Sequence, residues 1–204
     1  RVISNQGVGI DHIDLEAAKA RGIPVGNTPG FVDGATADMT FALLMAAARN
    51  VVRGDHFARG PNFTHFDPNI MHGQEVFGAT IGIIGMGGVG QQVARRAIGF
   101  DMKVLYHNRT EIPEIAADLG ASYVSLNELL SQSDFVTLNV PMTPDTSHLI
   151  GQNELALMKP TAILVNAARG GVLDHDALLE ALRDSTIWAA ALVVTDPEPL
   201  PRGH

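Results

Sequence analysis

Cysteine is absent from the 204 residues, which removes disulfides, a thiol nucleophile and any thiolate metal site from consideration. Positive charge is scarce too: 14 Lys and Arg stand against 22 Asp and Glu, a net charge of −8. An acidic surface offers nothing to phosphate backbones or anionic lipid, so neither nucleic acid nor a membrane is an expected partner. Aromatic residues make up 5% of the chain, with a single Trp, and long apolar runs are missing. The longest, Phe41–Ala48 and Ile187–Val194, have eight residues each, far short of a membrane span. No signal peptide is visible, and the cytoplasm is the expected compartment. The remaining composition, 46% hydrophobic and 18% charged, is ordinary for a soluble α/β protein.

Glycine, by contrast, is plentiful at 21 residues, and one arrangement of it organises the chain. In Ala79-Thr80-Ile81-Gly82-Ile83-Ile84 an apolar strand runs into Gly85-Met86-Gly87-Gly88-Val89-Gly90, and Gln91–Phe100 then reads as a helix. The spacing G-x-G-x-x-G between strand and helix is a dinucleotide-binding fingerprint. Gly85 permits the sharp turn, Gly87 leaves room for a pyrophosphate, and Gly90 lets helix and strand pack closely. The helix N-terminus supplies free N–H groups and a positive dipole end.

Around that turn the chain alternates. Short strands are expected at Arg1–Ser4 and Gly22–Val25, with Asp14 capping a helix between them. Ala35–Arg59 reads as one long helix, apolar nearly all round, with Met39, Leu43, Ala46 and Ala47 on one face; such a helix suits burial between lobes or subunits. His56–Gln74 reads as a loop. Its histidines, His56, His65 and His72, have irregular spacing and no carboxylate cluster, so no metal is expected. Further strands are expected at Lys103–His107, Ser122–Val124, Asp134–Val140, Ala162–Val165 and Ile187–Val194. Helices are expected at Ile115–Leu119, Leu126–Gln132, Gln152–Met158 and Asp174–Arg183. This alternation means a Rossmann-type, doubly wound parallel sheet with helices on both faces. Three regions are expected: residues 1–34 as a βαβ piece of a separate domain, 35–75 as a helix with its loop that suits burial between lobes or subunits, and 76–204 as the dinucleotide-binding domain. Asp38 is assigned to the dipole at the start of the long helix.

The second strand of an NAD site normally ends in an acidic residue that holds the ribose 2′-OH. Here Val104-Leu105-Tyr106 runs into His107-Asn108-Arg109-Thr110. No carboxylate is present to repel a 2′-phosphate, and Arg109, between Asn108 and Thr110, can grip one. NADP(H) is therefore favoured over NAD(H).

Six segments, Gly7-Val8-Gly9-Ile10-Asp11, Asn27-Thr28-Pro29-Gly30, Gly85–Gly90, Asn139-Val140-Pro141-Met142-Thr143-Pro144, Asn166-Ala167-Ala168-Arg169-Gly170-Gly171 and Asp196-Pro197-Glu198-Pro199, together resemble the D-isomer-specific 2-hydroxyacid dehydrogenases. Within that family the chain is most similar to the NADP-preferring glyoxylate/hydroxypyruvate reductases. The resemblance implies hydride transfer between NADP(H) and a small 2-oxo or D-2-hydroxy acid, a homodimer, and a flavodoxin-like substrate lobe. It implies that Arg169 bridges the substrate carboxylate and the reacting oxygen; the position after a strand, at the carboxyl edge of the sheet, supports that independently. It further implies that the N–H groups of Val8 and Gly9 cradle the carboxylate, and that Glu198 hydrogen-bonds the catalytic histidine. The resemblance implies, too, that Val140, Pro141 and Thr146 line the nucleotide and that Ala167 and Ala168 approach its nicotinamide side with Arg169.

Two departures stand out. The family's acid is a histidine some twenty residues beyond the position of Glu198, and here only His204 follows Glu198; His204, after Arg-Gly, is the wrong histidine. Valine occupies position 193, where the family has an aspartate that holds the nicotinamide carboxamide, and valine cannot accept that bond. The chain begins without Met and stops in a loop, so it reads as an internal fragment. The alternative to a reductase is a non-catalytic dinucleotide sensor or scaffold of the same fold.

Overall fold

The computed structural model describes residues 1–203; His204 lies outside them. The central feature is a six-stranded sheet, built from β3 (Thr80–Ile84), β4 (Lys103–His107), β5 (Ser122–Tyr123), β6 (Phe135–Leu138), β7 (Ile163–Asn166) and β8 (Ala189–Leu192). The spatial order is β5-β4-β3-β6-β7-β8, and every neighbouring pair is parallel. The chain therefore winds outward from β3 in one direction and then resumes on its other side at β6, which is the doubly wound Rossmann arrangement.

The strands are short and apolar because both faces are covered. Side chains alternate between two cores, as a pleated strand dictates. Ile81, Ile83, Val104, Tyr106, Phe135 and Val165 enter one core. Ile84, Leu105, Val136, Leu138 and Leu164 enter the other. The first core is closed by α2 (Asp33–Ala48) and α4 (Gly88–Ile98), the second by α6 (Leu126–Gln132), α7 (Gln152–Leu157) and α8 (His175–Arg183). Between α4 and α6, α5 (Pro113–Leu119) contributes Leu119 to the first core. Gly82 lets α6 approach: a Cβ there would meet the Leu129 side chain at 2.8 Å.

A smaller piece precedes the sheet. β1 (Ile3–Ser4) and β2 (Val25–Gly26) pair in parallel, joined through α1 (Leu15–Ala20), whose N-cap Asp14 accepts a bond from the Ala17 N–H.

The single helix expected over Ala35–Arg59 is instead two. α2 ends at Ala48 and α3 (Val51–Arg59) starts after Asn50, which sits in the left-handed region at φ 53°. Asparagine tolerates that conformation better than most residues, and its Nδ2 donates to the His72 carbonyl at 2.9 Å. The chain returns here to finish α2, with the Gln74 N–H donating to the Ala48 carbonyl at 2.8 Å. α3 runs through Arg59, so His56 and Phe57 are helical rather than in the loop. The face of α2 that is buried carries Ala37, Phe41, Leu44 and Ala48, and Met39 is exposed. α4 also differs, opening at Gly88 rather than Gln91. Asp38 has a partner that its dipole assignment missed: Arg96 of α4 donates to it through Nε at 2.8 Å.

No helix of the described residues is long and apolar enough to cross a membrane, and no cluster of three or more His, Cys, Asp or Glu among them could hold a metal ion.

Candidate active site

The glycine turn sits where β3 parts from β4 on one side and β6 on the other, the topological switch point of the sheet. Gly85 has φ 96°, and its N–H donates to the His107 carbonyl at 2.9 Å. A side chain would be strained by that backbone and would also lie 2.7 Å from the Asn139 carbonyl oxygen. At Gly90 a Cβ would drive into the Gly85 backbone, so α4 can rest on β3 only with glycine there. Gly87 is different: nothing lies within 4 Å of where its Cβ would point. The fold demands Gly85 and Gly90, whereas the space beside Gly87 is free for a ligand. α4 begins with no side-chain cap, so its first N–H groups have no side-chain acceptor among the described residues. Met86 is fully buried, which leaves only its backbone at the turn.

A cleft of about 1160 Å³ opens beside this turn, lined by Gly88 and Val89, by Val140 and Pro141 after β6, by Ala167, Ala168 and Arg169 after β7, and by Val8 and Gly9. Its volume exceeds that of an ordinary small-molecule pocket. Asn139, at the same rim, has a buried Oδ1 with no hydrogen-bond partner among the described residues, while its Nδ2 donates to Thr137 Oγ1 at 2.9 Å.

Arg169 is positioned from both directions. Asn166, buried at the end of β7, accepts from the Ala168 N–H at 3.0 Å and donates to the Arg169 carbonyl at 2.9 Å, which fixes the turn. The guanidinium then crosses to the loop before α1. Its Nε donates to both Asp11 oxygens at 3.2 Å, and its Nη1 donates to the Ala168 carbonyl at 2.8 Å. A Cβ on Gly9 would lie 2.8 Å from both the guanidinium carbon and Asp11 Oδ1, so glycine is what lets arginine and loop meet.

The loop itself is held by two asparagines. Asn5 Nδ2 donates to the Gly7 and Gly9 carbonyls at 2.7 and 2.9 Å, and Asn27 Nδ2 donates to the Val8 carbonyl at 2.8 Å. With the carbonyls so occupied, the N–H groups of Val8 and Gly9 have no partner among the described residues. Across the cleft, the Thr146 hydroxyl holds the Pro141 loop, donating to the Pro141 carbonyl at 2.6 Å and accepting from the Thr143 N–H at 2.8 Å. Its contribution is to shape that loop.

The remaining positions lie outside the cleft. Arg109 is exposed and makes no ion pair among the described residues. Asn108 and Thr110 close their own turn, Asn108 Nδ2 donating to the Thr110 carbonyl at 3.1 Å. Glu198 is exposed in the loop after β8 and has no hydrogen-bond partner among the described residues. Val193 follows β8, half-exposed, its N–H donating to the Asn166 carbonyl at 2.9 Å.

Residues 41–204 match the family model for the D-isomer specific 2-hydroxyacid dehydrogenase, NAD binding domain. The chain belongs to the D-isomer specific 2-hydroxyacid dehydrogenase family. Among similar proteins, a glyoxylate reductase from Thermococcus gammatolerans is 49% identical over 203 residues, 98% of this chain and 61% of that protein. A crystal structure of a protein from Thermus thermophilus superposes with a TM-score of 0.93 at 48% identity, covering all of this chain and 64% of that one. A glyoxylate reductase from Paecilomyes thermophila superposes with a TM-score of 0.89 at 39% identity, over all of this chain and 61% of that one. The chain thus spans about three fifths of the length of such family members.

Within this dehydrogenase fold, sequence reasoning missed Asp11 as the partner of Arg169. The two are 158 residues apart, and only their opposite charges within two motif segments could have suggested the pairing.

Proposed function

We propose that the protein is an NADP(H)-dependent reductase of a small 2-oxo acid, with glyoxylate or hydroxypyruvate the best candidates. The observation that carries this reading is Arg169 packed against Gly9 in the cleft that also holds the start of α4. It sets an anion-binding cation and two free N–H donors beside a dinucleotide cradle. NADPH, when bound, supplies the hydride. Gly87, Gly88 and Val89 would accommodate its pyrophosphate at the α4 N-terminus. Asn108, Arg109 and Thr110 stand at the end of β4, where the ribose lies in this fold; Arg109, without an ion pair among the described residues, is the group for a 2′-phosphate.

The substrate carboxylate is received by the Val8 and Gly9 N–H groups and by Arg169. Two of the five guanidinium N–H groups are engaged by Asp11 and Ala168, which leaves three for the substrate. Charge developing on the C2 oxygen as hydride arrives is stabilised by the same guanidinium. No histidine among the described residues lines the cleft, so the accompanying proton is assigned to none of them. In this reading Glu198 orients the acid. Residues 76–204 form the dinucleotide domain and 1–34 belong to a substrate lobe. The exposed Met39, Val51, Val52, Phe63 and Phe66 belong to a surface that meets a second copy.

A second reading, a dinucleotide-binding sensor or scaffold, draws its support from Val193. A half-exposed valine at the carboxyl edge of the sheet offers no acceptor to a nicotinamide carboxamide. The test is to mix the protein with NADPH and glyoxylate or hydroxypyruvate and follow the nicotinamide absorbance. A decline that vanishes in Arg169→Ala supports the reductase; NADPH binding with no decline favours the sensor.

A further inference from the structure

Four carboxylates, Asp11, Asp14, Glu16 and Asp33, line a cleft whose one basic side chain is Arg169, an unexpected balance for a site read as taking a dinucleotide and an organic acid, both anions. Three of the four are accounted for by place or partner. Asp11 pairs with Arg169, Asp14 caps α1, and Glu16 lies in the first turn of α1, where a carboxylate suits the helix dipole. Asp33 is left.

Asp33 is the first residue of α2 and is half-buried. Its carboxyl carbon lies 2.8 Å from where a Cβ on Gly88 would stand, so the carboxylate is laid against the opening residue of α4. It does not cap that helix: α4 has no side-chain cap, and Asp33 has no ion pair or side-chain hydrogen bond among the described residues. A negative charge therefore stands beside the start of α4, next to the open space at Gly87.

We propose that Asp33 sets the affinity of the site for dinucleotides by repelling the pyrophosphate, weakening the binding of NADPH and NADH alike. This rests on the reading of the cleft as a dinucleotide site. Two unit charges about 4 Å apart in a water-like medium repel enough to change a binding constant roughly fivefold, and the effect fades as salt screens it.

The test is to titrate the protein with NADH and with NADPH, following nicotinamide fluorescence, in the parent, Asp33→Asn and Asp33→Glu at low and high ionic strength. Asp33→Asn should bind both nucleotides about fivefold more tightly at low salt, with the gain shrinking at high salt. Asp33→Glu, which keeps the charge, should stay near the parent. Equal or weaker binding by Asp33→Asn, or a gain indifferent to salt, overturns the proposal while leaving the dinucleotide site intact. Failure of the parent and both variants to bind either nucleotide, with their thermal unfolding unchanged, overturns the site reading and this proposal with it.

Discussion

Arg169 and Asp11, 158 residues apart in sequence, meet through the arginine Nε and both carboxylate oxygens at 3.2 Å. The pair turns the guanidinium so that Nη2 faces Gly9. Both side chains are more than a third exposed, so the pair adds at most about 1 kcal/mol to stability. Its value is orientation. Asp11→Ala should leave the thermal midpoint nearly unchanged and weaken the binding of oxamate, a 2-oxo acid analogue, several-fold in calorimetric titration. A large loss of stability with unchanged affinity would assign the pair to the fold alone.

Two glycines of one turn should respond in opposite ways to the same substitution. Gly90→Ala forces a methyl group into the Gly85 backbone, and overpacking of that kind costs about 1–3 kcal/mol, so its urea midpoint should fall. Gly87→Ala meets open space; its midpoint should hold while NADPH binding collapses, because the methyl group occupies the pyrophosphate's place.

Arg109 projects from the end of β4 with no ion-pair partner among the described residues. Charge-assisted hydrogen bonds contribute about 1.5–3 kcal/mol, so Arg109→Ala should weaken NADPH binding roughly tenfold or more and leave NADH untouched. Equal losses for both nucleotides would remove Arg109 from the 2′-phosphate.

The junction between α2 and α3 offers a test of the fold itself. Asn50 combines a left-handed backbone with a bond to the His72 carbonyl, and left-handed residues other than glycine and asparagine cost about 1–2 kcal/mol. Asn50→Ala should lower unfolding free energy by about that amount, and Asn50→Gly by less, in chemical denaturation.

The sheet was legible because its strands are nearly pure apolar runs bounded by turns. Lys103–His107 and Leu126–Gln132 appear with the bounds their patterns indicate. The break in the long helix was not legible, because Val51 and Val52 resume the apolar pattern just after Arg49 and Asn50. What stops α2 is the distant return of His72 and Gln74. Likewise α4 begins within the glycines, against their poor helix propensity, because packing on β3 holds them. At the site, Arg169, Val8, Gly9, Val140, Pro141, Ala167 and Ala168 were all named from motifs, and the fold brings them along one cleft. Asp11 and Asp33 were not assigned roles, since the significance of each lies in a residue far along the chain. Glu198 stands apart from the cleft, and nothing in the described residues draws it nearer.

The proposed function places a dinucleotide at the glycine turn and a 2-oxo acid at Arg169 within one cleft. Calorimetric titration of oxamate into protein saturated with NADPH tests it most directly. Binding should be one-to-one and be lost in Arg169→Ala while NADPH affinity is kept; oxamate binding of equal strength in both proteins would remove Arg169 from the substrate site.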